Sequence, residues 1–493
     1  MSKSIALSSR AKKLIEGPKF WFILAIVYII ARLPTWFFPF DSDHWIFYYV
    51  GRKWLDGAVL YLQVWDHKSP LIFAINGGMH AVLGDNLVLH RLFLTGVSLL
   101  SIWLFYCVVL RILRAVKVKD LALTARLATL VFAFWANLSQ FTNSGNNTEN
   151  FGVVALLLSV LFYLKWKETK LWKWLLYSGV GISLLVFLKI NFCILLLPLV
   201  IDFIVTLRKD KKKILSLGAV WIAPLLAQAL LWYSYFAPRG LLGDWWIAMV
   251  SFNSKYLRAG WAGNLSGQLI FLVILGIAAL FFVGCYVKLF QDMKRKTAYP
   301  LVVTIGGSAL LFSVILGTFY THYYLIVIPY FCIIFAVYWQ KVITSKLYLL
   351  LAIVGAVGSL GIAYRQLYNN FYGPAAADFA AMQSAAVVVT NKTSDKDTIF
   401  FYGYGATFYQ LSDRDSGSRF ISASHLLIDE REGFGFGFTD KFIGDMQVSG
   451  AKYVIIDPGT IDIYSENEKA MTYINNKYEL ELTVNGYQLL RRK

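Results

Sequence analysis

Over the first three quarters of the chain long apolar runs alternate with short polar connections, and beyond residue 370 the pattern breaks into short alternating stretches. A membrane-crossing helix needs about 20 apolar residues. Runs near that length lie at 20–38, 87–110, 121–138, 150–166, 172–189, 190–207, 214–236, 266–289, 299–320, 322–340 and 346–366, so about eleven spans are expected. Basic residues collect in alternate connections, at the N-terminus and at Arg111 to Lys119, Lys165 to Lys173, Arg208 to Lys213, Lys288 to Lys296 and Lys341 to Lys346. By the positive-inside rule these face the cytoplasm. The N-terminus is then inside and the C-terminal tail outside. Residues 39–86, 139–149 and 237–265 form the outer connections. Within the first of them, 71–84 is apolar, too short to span and carries paired glycines, which predicts an interfacial helix.

From residue 371 onward TIFFYGYG, RFIS, KYVIIDPG, YELELTV and GYQLL read as short strands, with helices expected near 376–390 and 437–448. Two domains follow: a membrane domain over 1–370 and a small α/β domain over 371–493 on the extracytoplasmic side. The glycines at 403–405 and in GFGFGF at 433–438 lack the helix-opening context of a nucleotide fingerprint and read as turns and a mobile loop.

Composition strengthens the membrane reading. Of 493 residues 58% are hydrophobic, 17% aromatic and only 15% charged, against about 25% charged in a soluble chain. The net charge of +18 falls in short runs between spans, so it marks topology and no nucleic-acid partner is expected. The four cysteines, at 107, 193, 285 and 332, all lie in apolar stretches without paired spacing, and neither disulfides nor a cysteine metal site is expected. The basic N-terminus runs into a long apolar stretch with no small-residue cleavage site, so a retained first span is expected.

The densest polar segment, residues 39–71, places Asp41, Asp43, His44, Asp66, His67 and Lys68 at the lipid–water boundary. Solvated loop charges need no function, but ionisable groups beside hydrocarbon are costly and mark sites. A carboxylate there can take a proton, and Lys68 with His67 can hold an anion. That pairing suits sugar transfer from a lipid-linked phosphate, whose leaving group needs a nearby cation and no general acid.

Asp43, Gly51, Gly57, Tyr61 and Trp65-Asp66-His67-Lys68-Ser69-Pro70 together resemble the first outer loop of the protein O-mannosyltransferase superfamily of type C glycosyltransferases. TENFGVVALLLSVLFYL from Thr148, GVGISLLVFLKINFCILL and FYTHYYLIVIPYF resemble later segments of the family, and the resemblance runs in order over roughly residues 20–345. His44 stands where the family usually has Glu, and Ser69 where it has Pro.

The resemblance implies a multi-pass α-helical membrane protein of the type C fold in a bacterial plasma membrane. It implies a polyprenyl-phosphate-linked sugar donor, an extracytoplasmic glycan, lipid or protein acceptor, and an inverting single displacement. Asp43 maps to the catalytic acidic residue, Glu149 to the second carboxylate and Lys68 to the lysine nearest the donor phosphate. His67, Lys189 and His322 are further candidates for that phosphate, while Asp41, His44 and Asp66 are candidates for substrate binding. Lys189 equally fits snorkelling to the headgroups, His322 with Tyr323 and Tyr324 fits an aromatic belt, and Trp245, Trp246, Tyr256 and Trp261 fit either sugar stacking or that belt. Asp41 and Asp43 form an Asp-x-Asp pair, an alternative divalent-metal site as in the oligosaccharyltransferase branch. Two carboxylates are a thin ligand set, so no catalytic metal and no cofactor is expected. The competing function classes are a transporter or flippase of lipid-linked glycans, which would carry its ionisable residues near the midplane on broken helices, and a wall-polymer receptor.

Overall fold

The computed structural model describes residues 15, 17–37, 41–256, 283–295, 299–315, 320–342, 346–459 and 466–493. They form two compact units: one comprises Met1–Phe38, Arg91–Tyr233 and Trp261–Leu367, the other Pro39–His90, Ser234–Gly260 and Tyr368–Lys493.

The first unit is a helical bundle. Among the described residues, seven helical segments are long and apolar enough to cross a membrane: Lys19–Trp36, Leu87–Ala115, Thr148–Thr169, Ile190–Leu207, Lys211–Arg239, Thr321–Gln340 and Leu350–Lys392. The expected runs 20–38, 87–110, 150–166, 190–207, 214–236, 322–340 and 346–366 fall on these. Three others fall on shorter apolar helices, Leu121–Trp135, Lys173–Leu188 and Pro300–Ile315, of 15, 16 and 16 residues. Most of 266–289 lies outside the described residues. The break between Lys173–Leu188 and the next segment is one residue wide. Lys189 takes extended backbone, φ −161° and ψ 118°, and a 3₁₀ turn over Ile190–Leu196 follows. The Thr148–Thr169 helix opens with the Asn150 carboxamide accepting the Asn147 N–H at 3.0 Å, one of the donors a helix start leaves unpaired.

In the second unit two short helices pack at backbone contact. Ser42–Leu55 begins because Asp41 caps it, its Oδ1 accepting the His44 N–H at 2.8 Å. Pro70–Leu83 begins with proline in its first turn, where no backbone N–H is needed. A Cβ at Gly51 would stand 2.6 Å from both the Gly77 nitrogen and the Phe73 oxygen, so only glycine lets these helices lie this close. The helix anticipated at 71–84 is therefore present, and Gly77 is one of the paired glycines seen in its sequence.

The sheet of this unit has strands β1 (Thr398–Tyr402), β2 (Asp415–Ser416), β3 (Tyr453–Ile456), β4 (Tyr478–Val484) and β5 (Tyr487–Arg492) in the order β2-β1-β3-β5-β4. β1 is parallel to β2 and β3, with Ile399 opposite Tyr453, and β5 is antiparallel to β3 and β4. β4 and β5 join through Asn485-Gly486, both at positive φ (48° and 90°), the chemistry of a tight hairpin. Helices Pro374–Lys392 and Phe438–Ser449 stand where helical stretches were expected.

The expected strand RFIS, 419–422, is not a sheet strand. Its backbone is engaged by Trp65, whose N–H donates to the Arg419 oxygen at 2.8 Å and which forms a bridge with Phe420. The GFGFGF run is pinned. Gly433, Gly435 and Gly437 have φ of 60°, 74° and 67°, and the Asp429 carboxylate accepts the N–H groups of Phe436 and Phe438, each at 2.9 Å. The glycines thus place three phenylalanine rings around Phe252, at 5.7, 6.2 and 6.0 Å.

Candidate functional site

The sequence candidates separate into two groups, one in each unit. In the second unit Asp43 occupies the first turn of Ser42–Leu55, where the helix dipole favours an anion. It is half-buried, and its carboxylate makes no hydrogen bond or ion pair with the described residues. One turn along the same face, Phe47 is buried and carries the Lys68 ammonium 5.7 Å from its ring centre.

Lys68 is itself largely buried and bonded to an imidazole: its Nζ lies 2.7 Å from His67 Nε2. The ammonium can only donate, so Nε2 accepts and the proton of a neutral His67 ring sits on Nδ1. Burial and the neighbouring Lys68 charge hold His67 down at about 4, which keeps the ring neutral near pH 7. Asp66 is buried, and burial alone would raise its carboxyl. The Lys68 charge and hydrogen bonds from His425 and His67 outweigh this and hold it ionised well below the ordinary range. The segment is clamped from several sides. Tyr61 OH donates to the Lys68 oxygen at 2.7 Å, Asn253 Nδ2 to the His67 oxygen at 2.9 Å, and the Lys68 N–H to Asp66 Oδ1 at 3.1 Å.

Asp41 and His44 serve the scaffold here. One oxygen of Asp41 is taken by the helix cap. The His44 ring is fully buried in an aromatic cluster, 5.1 Å from Trp45 and stacked 6.3 Å from Tyr48.

In the first unit Glu149, Lys189 and His322 gather. Lys189 Nζ pairs with Glu149 Oε1 at 2.9 Å and lies 3.6 Å over the Tyr323 ring. Glu149 Oε2 accepts from Thr148 at 2.9 Å, and His322 Nδ1 is 3.5 Å from Asn143 Nδ2. Only 2% of the Glu149 side chain is exposed, so the lysine ammonium is its counter-ion.

Two residues were missed by reading the sequence. His425, in the first turn of the Ser424–Arg431 helix, sits 3.0 Å from His67 Nδ1 and 3.3 Å from Asp66 Oδ2. A separation of 358 residues gave no signal. Arg32 lies in the first span, 2% exposed, with Nε and Nη1 buried and unpartnered among the described residues. A lone arginine in an apolar run was the signal available.

The described helices and small sheet define a multi-pass α-helical membrane protein with a C-terminal α/β portion. Residues 67–233 match the family model for dolichyl-phosphate-mannose-protein mannosyltransferases. That stretch contains His67, Lys68, Glu149 and Lys189 but stops short of Asp43 and His322. No curated protein sequence matches the chain.

Among solved structures, ArnT from Cupriavidus metallidurans bound to undecaprenyl phosphate is similar at 11% identity and TM-score 0.60, over 96% of this chain and 98% of that one. Its apo state is similar at 12% identity and TM-score 0.53, over 96% and 97%. The archaeal oligosaccharyltransferase AglB from Archaeoglobus fulgidus, in complex with an inhibitory peptide and a dolichol-phosphate, is similar at 13% identity and TM-score 0.53, over 97% of this chain and 75% of that one. The chain thus shares the fold of these glycosyltransferase structures, and its residues 67–233 resemble the mannosyltransferase family model.

Proposed function

We propose that the protein is an inverting glycosyltransferase that moves a sugar from a polyprenyl-phosphate donor to an acceptor hydroxyl outside the cytoplasm. Asp43 takes the proton from that hydroxyl. The freed oxygen attacks the anomeric carbon from the face opposite the phosphate, and the carbon–oxygen bond to phosphate breaks with its electron pair leaving on the phosphate. Lys68, turning from His67, meets the charge that develops there. Glu149 orients sugar or acceptor, with Lys189 as its counter-ion and His322 as a further hydrogen-bonding group. The N-terminus lies inside and the α/β portion outside, and no metal at Asp41 and Asp43 is needed for the step.

The observation that carries this reading is the Asp43 carboxylate at a helix start, without a partner among the described residues and one turn from the aromatic ring that Lys68 covers. The match over 67–233 and the undecaprenyl and dolichol phosphates bound by ArnT and AglB support the donor class.

The test is transfer in proteoliposomes offered a panel of polyprenyl-phosphate sugars, with mass spectrometry of envelope glycans from cells with and without the gene to identify the product. The expected product has inverted anomeric configuration and is lost in Asp43→Asn. Retained transfer in that variant, or retained configuration in the product, overturns the mechanism.

A further inference from the structure

We propose that Asp66, His67 and His425 form a binding site for one divalent transition-metal ion of the zinc class. The inference stands apart from the glycosyl-transfer reading and from the Asp41/Asp43 pair. Three donor atoms face one another: His67 Nδ1 and His425 Nε2 are 3.0 Å apart, Asp66 Oδ2 and His425 Nε2 3.3 Å, and Asp66 Oδ2 and His67 Nδ1 3.5 Å. Zinc bonds of about 2.0–2.2 Å to nitrogen and oxygen in a tetrahedron place neighbouring ligands about 3.3–3.5 Å apart. The triangle already has nearly those edges, so an ion can sit at its apex with little movement of the side chains. Two imidazoles and one carboxylate suit zinc, whereas calcium and magnesium prefer oxygen ligands throughout. Three protein donors leave a fourth position for water or a substrate oxygen.

The surroundings are built for a fixed ligand set. Asp66 and His425 are 1% and 3% exposed. Asp66 Oδ1 accepts the Lys68 N–H, leaving Oδ2 aimed at the two rings. Backbone pairing of Trp65 with Arg419 and Phe420 fastens the 66–67 segment close to the helix that carries His425, and Asp445 holds Arg419 at 2.9 and 2.8 Å. Trp65 and Phe252 wall the His425 ring at 5.0 and 5.7 Å. Removing water in this way strengthens ion–ligand attraction.

Binding has a consequence for Lys68. In the present arrangement His67 Nε2 accepts from the ammonium at 2.7 Å. An ion on Nδ1 displaces the proton there, and the neutral ring then carries its proton on Nε2. Two donors would face each other, so Lys68 must swing away from His67. Coordination would therefore release the lysine that the preceding proposal assigns to phosphate, and this consequence alone rests on that proposal.

The full-length protein in nanodiscs is stripped with a chelator, reloaded with zinc and counted by elemental analysis; reloading with cobalt gives the visible absorption of a tetrahedral site. The expected result is one ion per chain in the wild type and at least a tenfold loss of affinity in His425→Ala and Asp66→Asn. Asp43→Asn should bind as tightly as the wild type. Equal retention in wild type and His425→Ala overturns the proposal, as does a wild type that holds no ion or gives only an octahedral cobalt spectrum. His425→Gln, of similar size, serves if the alanine variant fails to fold. None of these readouts uses sugar transfer, so a failed metal site and a failed glycosyltransferase reading are told apart.

Discussion

The two units each hold an acid and a lysine, and they treat them in opposite ways. In the first, Glu149 and Lys189 neutralise one another at 2.9 Å, with the carboxylate almost wholly buried. In the second, Asp43 has no partner among the described residues and Lys68 leans on an imidazole kept neutral by burial and by the lysine itself. A buried pair that loses one member leaves an uncompensated charge, which is expensive. A cation resting on a neutral acceptor can change partners at lower cost, because only a hydrogen bond is exchanged. The first arrangement locks its two charges together, and the second leaves the lysine able to change partner.

The largest expected effect tests the available carboxylate. Asp43→Asn keeps size and helix position but cannot accept a proton, and transfer should fall about 10³- to 10⁴-fold, within the range for general-base removal. If the proposed donor class is right, binding of a polyprenyl phosphate to the purified variant should match the wild type. A variant that transfers at the wild-type rate breaks the comparison at its more important side.

Next comes the paired side. Lys189→Met should destabilise the first unit by about 3–5 kcal/mol, the cost of stranding a buried carboxylate. Adding Glu149→Gln should recover most of it. Thermal melts of the single and double variants in one detergent decide the matter: if the double variant melts no higher than Lys189→Met, the two groups are not a counter-ion pair.

Lys68→Met is predicted to behave differently. The hydrogen bond lost on His67 costs little stability, but the leaving phosphate loses its cation, so transfer should fall about 10²-fold. The diagnostic ratio is activity loss to melting-temperature loss, large for Lys68 and small for Lys189. Equal ratios would erase the distinction drawn here.

What the sequence disclosed followed distance along the chain. Asp43, His67 and Lys68 were legible because they lie in one polar loop, and the loop's motif is local. Glu149 and Lys189 were each visible as charges beside apolar runs, but their bond was not, because hydropathy carries no information about which helix faces which. His425 was invisible for the same reason at greater range. The apolar runs gave the helical architecture, yet could not reveal that Leu121–Trp135 is only 15 residues long, since the apolar run continues past its C-cap at Ala136 to Leu138. RFIS has the alternation of a strand, and its backbone instead serves Trp65. GFGFGF has the composition of a loose loop, and Asp429 organises it.

The smallest expected effect probes how Asp43 is kept in place. Gly405 follows β1 with φ +93°, and a Cβ there would stand 1.9 Å from the Ser42 hydroxyl, the first residue of the Asp43 helix. Gly405→Ala therefore meets both backbone strain and a clash at the helix start. About 1–3 kcal/mol of stability should be lost. If Asp43 works through its position as an unpartnered base, transfer should fall more than melting does, and Ser42→Gly combined with Gly405→Ala should restore part of it by removing the hydroxyl that is struck. A Gly405→Ala protein with wild-type transfer and a lowered melting temperature would show that the helix start tolerates displacement. The availability of the Asp43 charge, rather than its exact placement, would then be the feature that separates it from the fixed Glu149–Lys189 pair.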